Sequence, residues 1–209
     1  MAEQAEQAEQ AGQAGQAEQV LTPGGRKILD AASGLFYGRG INAVGVDLIA
    51  REAGVTKKTL YDRFGSKETL VAAYLRERDQ RWRDWLTGRV EAAGDTPYAR
   101  VLAAFDALAE WMRRENPRGC GFVNAAAELP DASHPGRAVI EGQKHWMRGY
   151  LRELCAGTGA ADPAELADEL LLLYEGATVL GGLEITPAPA ATARSLAVLA
   201  LERAGCRHP

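Results

Sequence analysis

Apolar residues recur along most of the chain at three- and four-residue intervals, the period of a helix with one buried face. Ile28, Ala32, Leu35 and Phe36 make the first such stripe, after the run "TPGG". "YGRG" (37–40) closes it, because glycine accepts the left-handed backbone at a helix end. Val46, Ile49, Ala50 and Ala53 form a second, shorter stripe, which Gly54 interrupts. Thr56 can cap a third helix by accepting from its free amides, and that helix extends to about Phe64. After Gly65, Ser66 caps a long fourth helix on which Val71, Leu75, Trp82, Leu86 and Val90 keep helical spacing. Past "AAGDTP" the pattern predicts helices over 97–115, 118–129, 134–156, 163–183 and 188–205. The breakers between them are Asn116-Pro117, Pro130, Gly157 to Gly159, and Pro187 with Pro189. No strand-type alternation occurs, so the expected fold is all-α, with about nine helices. An N-terminal three-helix head (23–66) is joined by the long helix to a larger C-terminal helical bundle (67–209).

The third helix is unusually polar. "VDLIAREAGVTKKTLYDRF" reads as two short helices meeting at a glycine, a helix-turn-helix by length and pattern. Val46, Ile49, Ala50, Val55 and Leu60 supply the small core between them. Thr56, Lys57, Lys58, Tyr61 and Asp62 are then left facing outward, free to enter a major groove. Lysines there can donate to guanine O6 and N7, while Thr59, Tyr61 and Arg63 can bond phosphate oxygens. Lys67 and the amides opening the fourth helix make a second phosphate site, since helix N-termini attract anions.

The formal net charge of −4 is unfavourable for a nucleic-acid partner, but its distribution matters more than its total. From Gly24 to Leu70 eight bases stand against five acids, a local +3 that leaves −7 for the remainder. A basic head on an acidic body is compatible with DNA binding. Cys120, Cys155 and Cys206 lie far apart with no C-x-x-C pair, which suits reduced thiols better than a disulfide scaffold or a zinc ribbon. No run of 18 apolar residues and no secretion-type leader occurs, so a cytoplasmic protein without membrane association is expected. Residues 2–19 repeat A-E/G-Q with no large apolar side chain, and residues 1–22 are expected to form a disordered or weakly helical arm.

"RKILDAASGLFYGRGINAVGVDLIAREAGVTKKTLYDRFGSKETLVAAYL" resembles the N-terminal DNA-binding domain of TetR-like transcriptional regulators. The most specific part is "IAREAGVTKKTLYDRFGSKETL", with its turn, its TLY-x-x-F and the SKE opening the fourth helix. The resemblance covers about a quarter of the chain. It implies a homodimer with two such heads on double-stranded operator DNA, usually a repressor, released when a small molecule enters the helical body. On that pattern Lys57 and Lys58 approach bases, while Thr59, Tyr61, Arg63 and Lys67 hold the backbone. Three positions depart from it. Gly45 stands where relatives cap helix two with Thr or Ser, weakening that cap by a few tenths of a kcal/mol up to ~1. Lys58 replaces a small residue, offering an extra contact or a tilted helix, and Asp62 puts an acid on the reading face. Asp62 can accept from a cytosine amino group or pair with Lys58 at i,i+4 spacing; the pairing is favoured.

In the body the resemblance implies architecture and little chemistry. Aromatic and polar side chains available to line an effector pocket are Trp82, Trp111, Phe122, Asn124, Glu128, His145, Trp146, Tyr150, Tyr174, Glu175 and Thr178. Any one of them is more readily a core or surface residue than a ligand contact; as a set they predict a pocket. Leu166, Leu170, Leu173, Ala177 and Leu180 make a stripe on the penultimate helix, and Leu196, Leu199 and Ala200 belong to another on the last. Both are expected in a two-fold four-helix dimer interface. Cys120, near Arg118, leaves a thiol-based redox or electrophile sensor as an alternative, and an architectural DNA binder without effector is another. An enzyme is not expected: G-x-S-x-G, H-E-x-x-H and G-x-x-x-x-G-K are all missing. His134, His145 and His208 have no metal-ligand spacing, so no metal and no cofactor are expected.

Overall fold

The computed structural model describes residues 21–115 and 117–206, and its described residues form nine α-helices and no strand. They are α1 (Pro23–Arg39), α2 (Val46–Glu52), α3 (Lys57–Phe64), α4 (Lys67–Ala92), α5 (Pro97–Glu115), α6 (Gly121–Glu128), α7 (Pro135–Ala156), α8 (Pro163–Gly182) and α9 (Pro189–Arg203). The A-E/G-Q repeat lies outside the described residues. No described helix is long and apolar enough to cross a membrane.

Two helix ends differ from the pattern-based expectation. α1 begins within "TPGG" because Thr22 caps it, accepting from the Gly25 amide at 3.3 Å, and Pro23 occupies the first turn. A proline there lacks only an amide that would have no helical partner anyway. α6 starts at Gly121 rather than near 118, because Gly119 takes φ +73°, a conformation no helix continues through.

α4 is the member on which both halves are built. Leu70, Val71, Tyr74 and Leu75, on its first three turns, pack with Ile28, Phe36, Ile49 and Leu60 of the head. Trp82, Leu86 and Val90, further along, pack with Phe105, Leu108, Met147, Leu151 and Leu170 of the body. The head's core is not closed by the head alone: Phe122, Ala125 and Leu129 around α6 and Ile140 of α7 complete it. Between the two cores α4 carries its buried charges, Arg78 at 5% and Asp79 at 9% exposure. Such charges are tolerated only with partners. The Asp79 carboxylate accepts from Arg83 at 2.9 and 2.6 Å, and Arg78 donates to the Glu115 carbonyl at 3.3 Å. The Arg78 guanidinium also lies 4.2 Å from the centre of the Tyr37 ring.

Where α8 ends, its backbone nearly touches the turn that leads into α6. A Cβ on Gly182 would lie 2.6 Å from Gly119 Cα, against backbone that cannot swing aside. A Cβ on the adjacent Gly181 would meet the end of the flexible Met112 side chain and, at 3.2 Å, the Pro189 ring, which need give only by a few tenths of an ångström. Gly182→Ala should therefore lower stability by roughly 1–3 kcal/mol, the usual cost of overpacking. Gly181→Ala should cost less, since Met112 can change rotamer and alanine favours the helix. Urea unfolding of both variants at one protein concentration checks this; equal losses would contradict it.

Candidate nucleic-acid interface and effector cavity

The two-helix unit of the head follows its local chemistry. Gly54 takes φ +66°, which lets α2 turn into α3 without a Cβ clash. Thr56 caps α3, its hydroxyl accepting from the Thr59 amide at 3.1 Å and lying 2.9 Å from the Thr59 hydroxyl. Gly45 occupies the N-cap of α2 and provides no side-chain bond. Leu60 and Phe64 are buried in one core with Ile49 and Ala53, and Ala50 is buried too. Thr56, Lys57, Lys58, Tyr61, Asp62 and Arg63 are exposed, and Thr59 and Lys67 are half-buried. One continuous polar surface results, with Tyr61 at 45% exposure its aromatic member.

Lys57 and Lys58 of that surface are each paired with an acid. Lys57 Nζ sits 2.6 Å from Asp47 in the first turn of α2, and Lys58 Nζ sits 2.8 Å from Asp62. The second pair is the one favoured from spacing. Exposed pairs of this kind contribute ~0–1 kcal/mol, so a nearby phosphate or guanine edge can take over either lysine at small cost. Ser66 caps α4 by accepting from the Thr69 amide at 3.1 Å, which sets Lys67 in the first turn beside the open amides.

In the body, α4, α5, α6, α7 and α8 wall a cavity lined by Arg78, Trp82, Leu108, Trp111, Cys120, Gly121, Phe122, Gln143, Lys144, Tyr174, Glu175 and Thr178. Counting its open mouth it holds about 400 Å³, yet the centre of a water molecule can reach only about 30 Å³ of it. That is room for roughly two waters, so any larger guest must part the walls. The Trp82 and Trp111 rings meet edge-on at 5.2 Å, and Tyr174 lies 6.2 Å from Trp82. Lys144 Nζ bonds both Glu175 oxygens at 2.6 and 2.8 Å and reaches Cys120 Sγ at 3.6 Å. Burial works against the Lys144 ammonium, but the Cys120 sulfur and the Glu175 carboxylate outweigh it, so its pKa lies above the ordinary lysine value. Lys144 thus stays charged at neutral pH, between the Cys120 sulfur and the Glu175 carboxylate. Among the described residues no His, Cys, Asp and Glu cluster could hold a metal ion.

Of the side chains the sequence offered for a pocket, Trp82, Trp111, Phe122, Tyr174, Glu175 and Thr178 line this cavity; Asn124, Glu128, His145, Trp146 and Tyr150 do not. Asn124 donates to the Arg118 carbonyl at 2.9 Å and so braces the turn before α6. His145 is exposed, because it is displaced around α7 from the inward residues Gln143 and Met147. Trp146 and Tyr150 stack on each other at 5.1 Å away from the cavity, with Arg83 over the Trp146 ring. Glu128 holds the head instead. Its oxygens accept from the Ile41 amide at 3.0 Å and the Asn42 amide at 2.7 Å, and its carbonyl accepts from Asn42 Nδ2 at 3.0 Å. Sequence reasoning missed Arg78 and Gln143, although a signal existed. Each falls on an apolar stripe, Arg78 between Leu75 and Trp82, Gln143 between Ile140 and Met147.

The proposed interface stripes also divide. Leu166, Leu170, Ala177 and Ala200 are buried in the chain's own core, at 2%, 0%, 4% and 8% exposure, and are closed to a second copy. Leu173 is half-buried. Leu180, Leu196 and Leu199 do face outward, and Leu172, Val179, Leu183 and Ile185 join them although the stripe had omitted them. α8 is apolar on two sides, so spacing alone selected the inward one.

Two family models match the chain. Bacterial regulatory proteins of the tetR family match residues 28–74, and the tetracyclin repressor-like C-terminal domain matches residues 97–197. The HTH-type transcriptional regulator YjdC of Escherichia coli is 26% identical over 181 residues, 87% of this chain and 95% of that protein. The HTH-type transcriptional repressor KstR2 of Mycolicibacterium smegmatis is 32% identical over 108 residues, 50% of this chain and 51% of that one. A TetR-family transcriptional regulator of Streptomyces coelicolor has a similar structure, with TM-score 0.79 and 31% identity, covering 86% of this chain and 94% of that one.

If α3 and the start of α4 face a duplex, their lysines should behave differently. Lys67→Ala should weaken binding to all sequences alike and reduce the salt slope by about one. Lys57→Ala should lose roughly 1–3 kcal/mol of discrimination at one base pair of each half-site. Fluorescence anisotropy over a salt series, on selected and scrambled sequences, measures both. Wild-type behaviour of both variants would rule out this surface.

Proposed function

Because the chain belongs to the TetR family of helix-turn-helix transcriptional regulators, we propose that it is a repressor that grips a palindromic operator as a homodimer and lets go when a small molecule enters the cavity. Residues 23–66 are the DNA-reading head, and residues 67–209 hold the effector and the dimer interface. That KstR2 is named a repressor supports the sign of the regulation.

The observation that carries the reading is the position of α6. One end of it, with Cys120, Gly121 and Phe122, forms a wall of the cavity. Its other end is Glu128, whose carboxylate holds the turn between α1 and α2. A guest that parts the cavity walls displaces the first end, and an eight-residue helix carries that movement to the second. A second link runs parallel: Arg78 lines the cavity and stacks on Tyr37 of α1. The Tyr37 hydroxyl donates to the Gly119 carbonyl at 3.0 Å and accepts from the Arg118 amide at 2.9 Å. An architectural DNA binder has no use for such a connection between a cavity and its head.

The dimer face is the outward apolar surface of α8, the turn after it and α9. Leu172, Leu183, Ile185 and Leu199 are 76%, 65%, 66% and 59% exposed, and an apolar surface of that kind marks an interaction site. Two copies related by a two-fold axis would each present the same patch, as a closed dimer requires. The recognition helices must then lie about one DNA turn apart, ~34 Å, to engage successive major grooves.

Two outcomes test the reading. Leu183→Glu should give monomers by light scattering and lose tight palindrome binding; a monomeric wild type would sink the dimer. Glu128→Ala should uncouple cavity from head. In the wild type an effector should weaken operator binding by a factor of roughly 5–150, and operator should weaken effector binding by the same factor. In the variant both factors should fall toward one, read by tryptophan fluorescence titrations with and without operator DNA. An undiminished factor in the variant would show that α6 does not carry the signal.

A further inference from the structure

Two residues that line the cavity each carry a buried polar atom with no hydrogen-bond partner among the described residues: the Tyr174 hydroxyl and Gln143 Oε1. Both side chains belong to residues only 4% exposed, and both line the cavity. Unsatisfied buried groups are rare because each costs the fold its desolvation. Phenylalanine and leucine would fill these positions without that cost. Burial pushes the Tyr174 hydroxyl well above its ordinary pKa, so it remains protonated and able to donate. Gln143 Oε1 can only accept. The neighbouring polar groups are already engaged. Lys144 is held by Glu175, and the Thr178 hydroxyl donates to the Tyr174 carbonyl at 2.9 Å.

We infer that the cavity takes an uncharged aromatic compound bearing a hydroxyl group, a phenol whose O–H donates to Gln143 and whose oxygen accepts from the Tyr174 hydroxyl. This rests on the effector reading above and names its ligand class. A hydroxyl is the smallest group that both donates and accepts, which answers the two orphaned atoms together. A flat ring suits a space narrow enough to hold roughly two waters between the Trp82, Trp111 and Phe122 rings. Charge is disfavoured on both sides. A carboxylate would have to compete with Glu175 for Lys144 and with the Glu115 carbonyl and the Tyr37 ring for Arg78, and an ammonium would meet both cations.

Isothermal titration calorimetry of the full chain with 4-ethylphenol, ethylbenzene and 4-ethylbenzoate tests the inference. The three share a ring and differ in one group. 4-Ethylphenol should bind about tenfold or more tightly than ethylbenzene, one or two hydrogen bonds' worth, with 4-ethylbenzoate no tighter than ethylbenzene. Tyr174→Phe and Gln143→Leu should each keep ethylbenzene binding and cut the preference for the phenol by up to tenfold. Neither should lower the thermal midpoint, since each removes an unsatisfied group. Equal affinity for 4-ethylphenol and ethylbenzene, or tighter binding of the benzoate, would overturn the ligand class and leave the effector cavity standing. A preference unchanged in both variants would overturn it as well. No heat of binding for any of the three would overturn the class and the cavity reading together.

Discussion

One helix has to satisfy two cores at once. α4 buries Leu70, Val71, Tyr74 and Leu75 in the head and Trp82, Leu86 and Val90 in the body. Neither half can shift along or around it without exposing apolar surface at about 25 cal/mol per Å². The head is too small to close its own core and borrows Phe122, Ala125, Leu129 and Ile140. Its orientation is therefore set by packing against the body, and what disturbs the body reaches the head by contact.

The polar groups at the seam add direction to that contact. Apolar packing resists displacement but has little angular preference, whereas hydrogen bonds specify which atoms must stay together. Glu128 ties α6 to the α1–α2 turn, and Tyr37 ties α1 to the turn before α6. Arg26 adds a tie between α1 and α4 through Glu77 at 2.6 Å. Hydrogen bonding to the Glu77 carboxylate holds the Arg26 guanidinium above its usual pKa. These bonds join elements 51 to 87 residues apart in the chain.

α3 solves a different problem. A helix short of leucines cannot be stabilised by burial on all sides, and α3 buries only Leu60 and Phe64. Its cap at Thr56, the Lys57–Asp47 pair to α2 and its own Lys58–Asp62 pair help hold it while its outward face stays polar. The charge pattern suits a partner that carries its own negative charge: the lysines are available, and the acids that hold them are weak competitors at an exposed site.

The sequence alone determined the all-α class, the order of the helices and the outward surface of α3, because these depend on local rules. Apolar period, capping residues and glycine turns act over a few neighbours, and each neighbour is legible along the chain. Asp62 beside Lys58 was readable for the same reason, as an i,i+4 pair. Tertiary structure alone decided which side of each body helix faces where. α8 is apolar on two sides, so Leu170 and Leu172 are indistinguishable by composition, yet one is fully buried and the other 76% exposed. It decided too that Glu128 would hold a turn 86 residues away instead of lining the cavity. Arg78 and Gln143 stood on apolar stripes, so their burial was implicit in the spacing, but their meeting in one cavity was not. Spacing reports the angle of a side chain about its own helix; its partner depends on how that helix crosses others, and that is set by the packing of the whole chain.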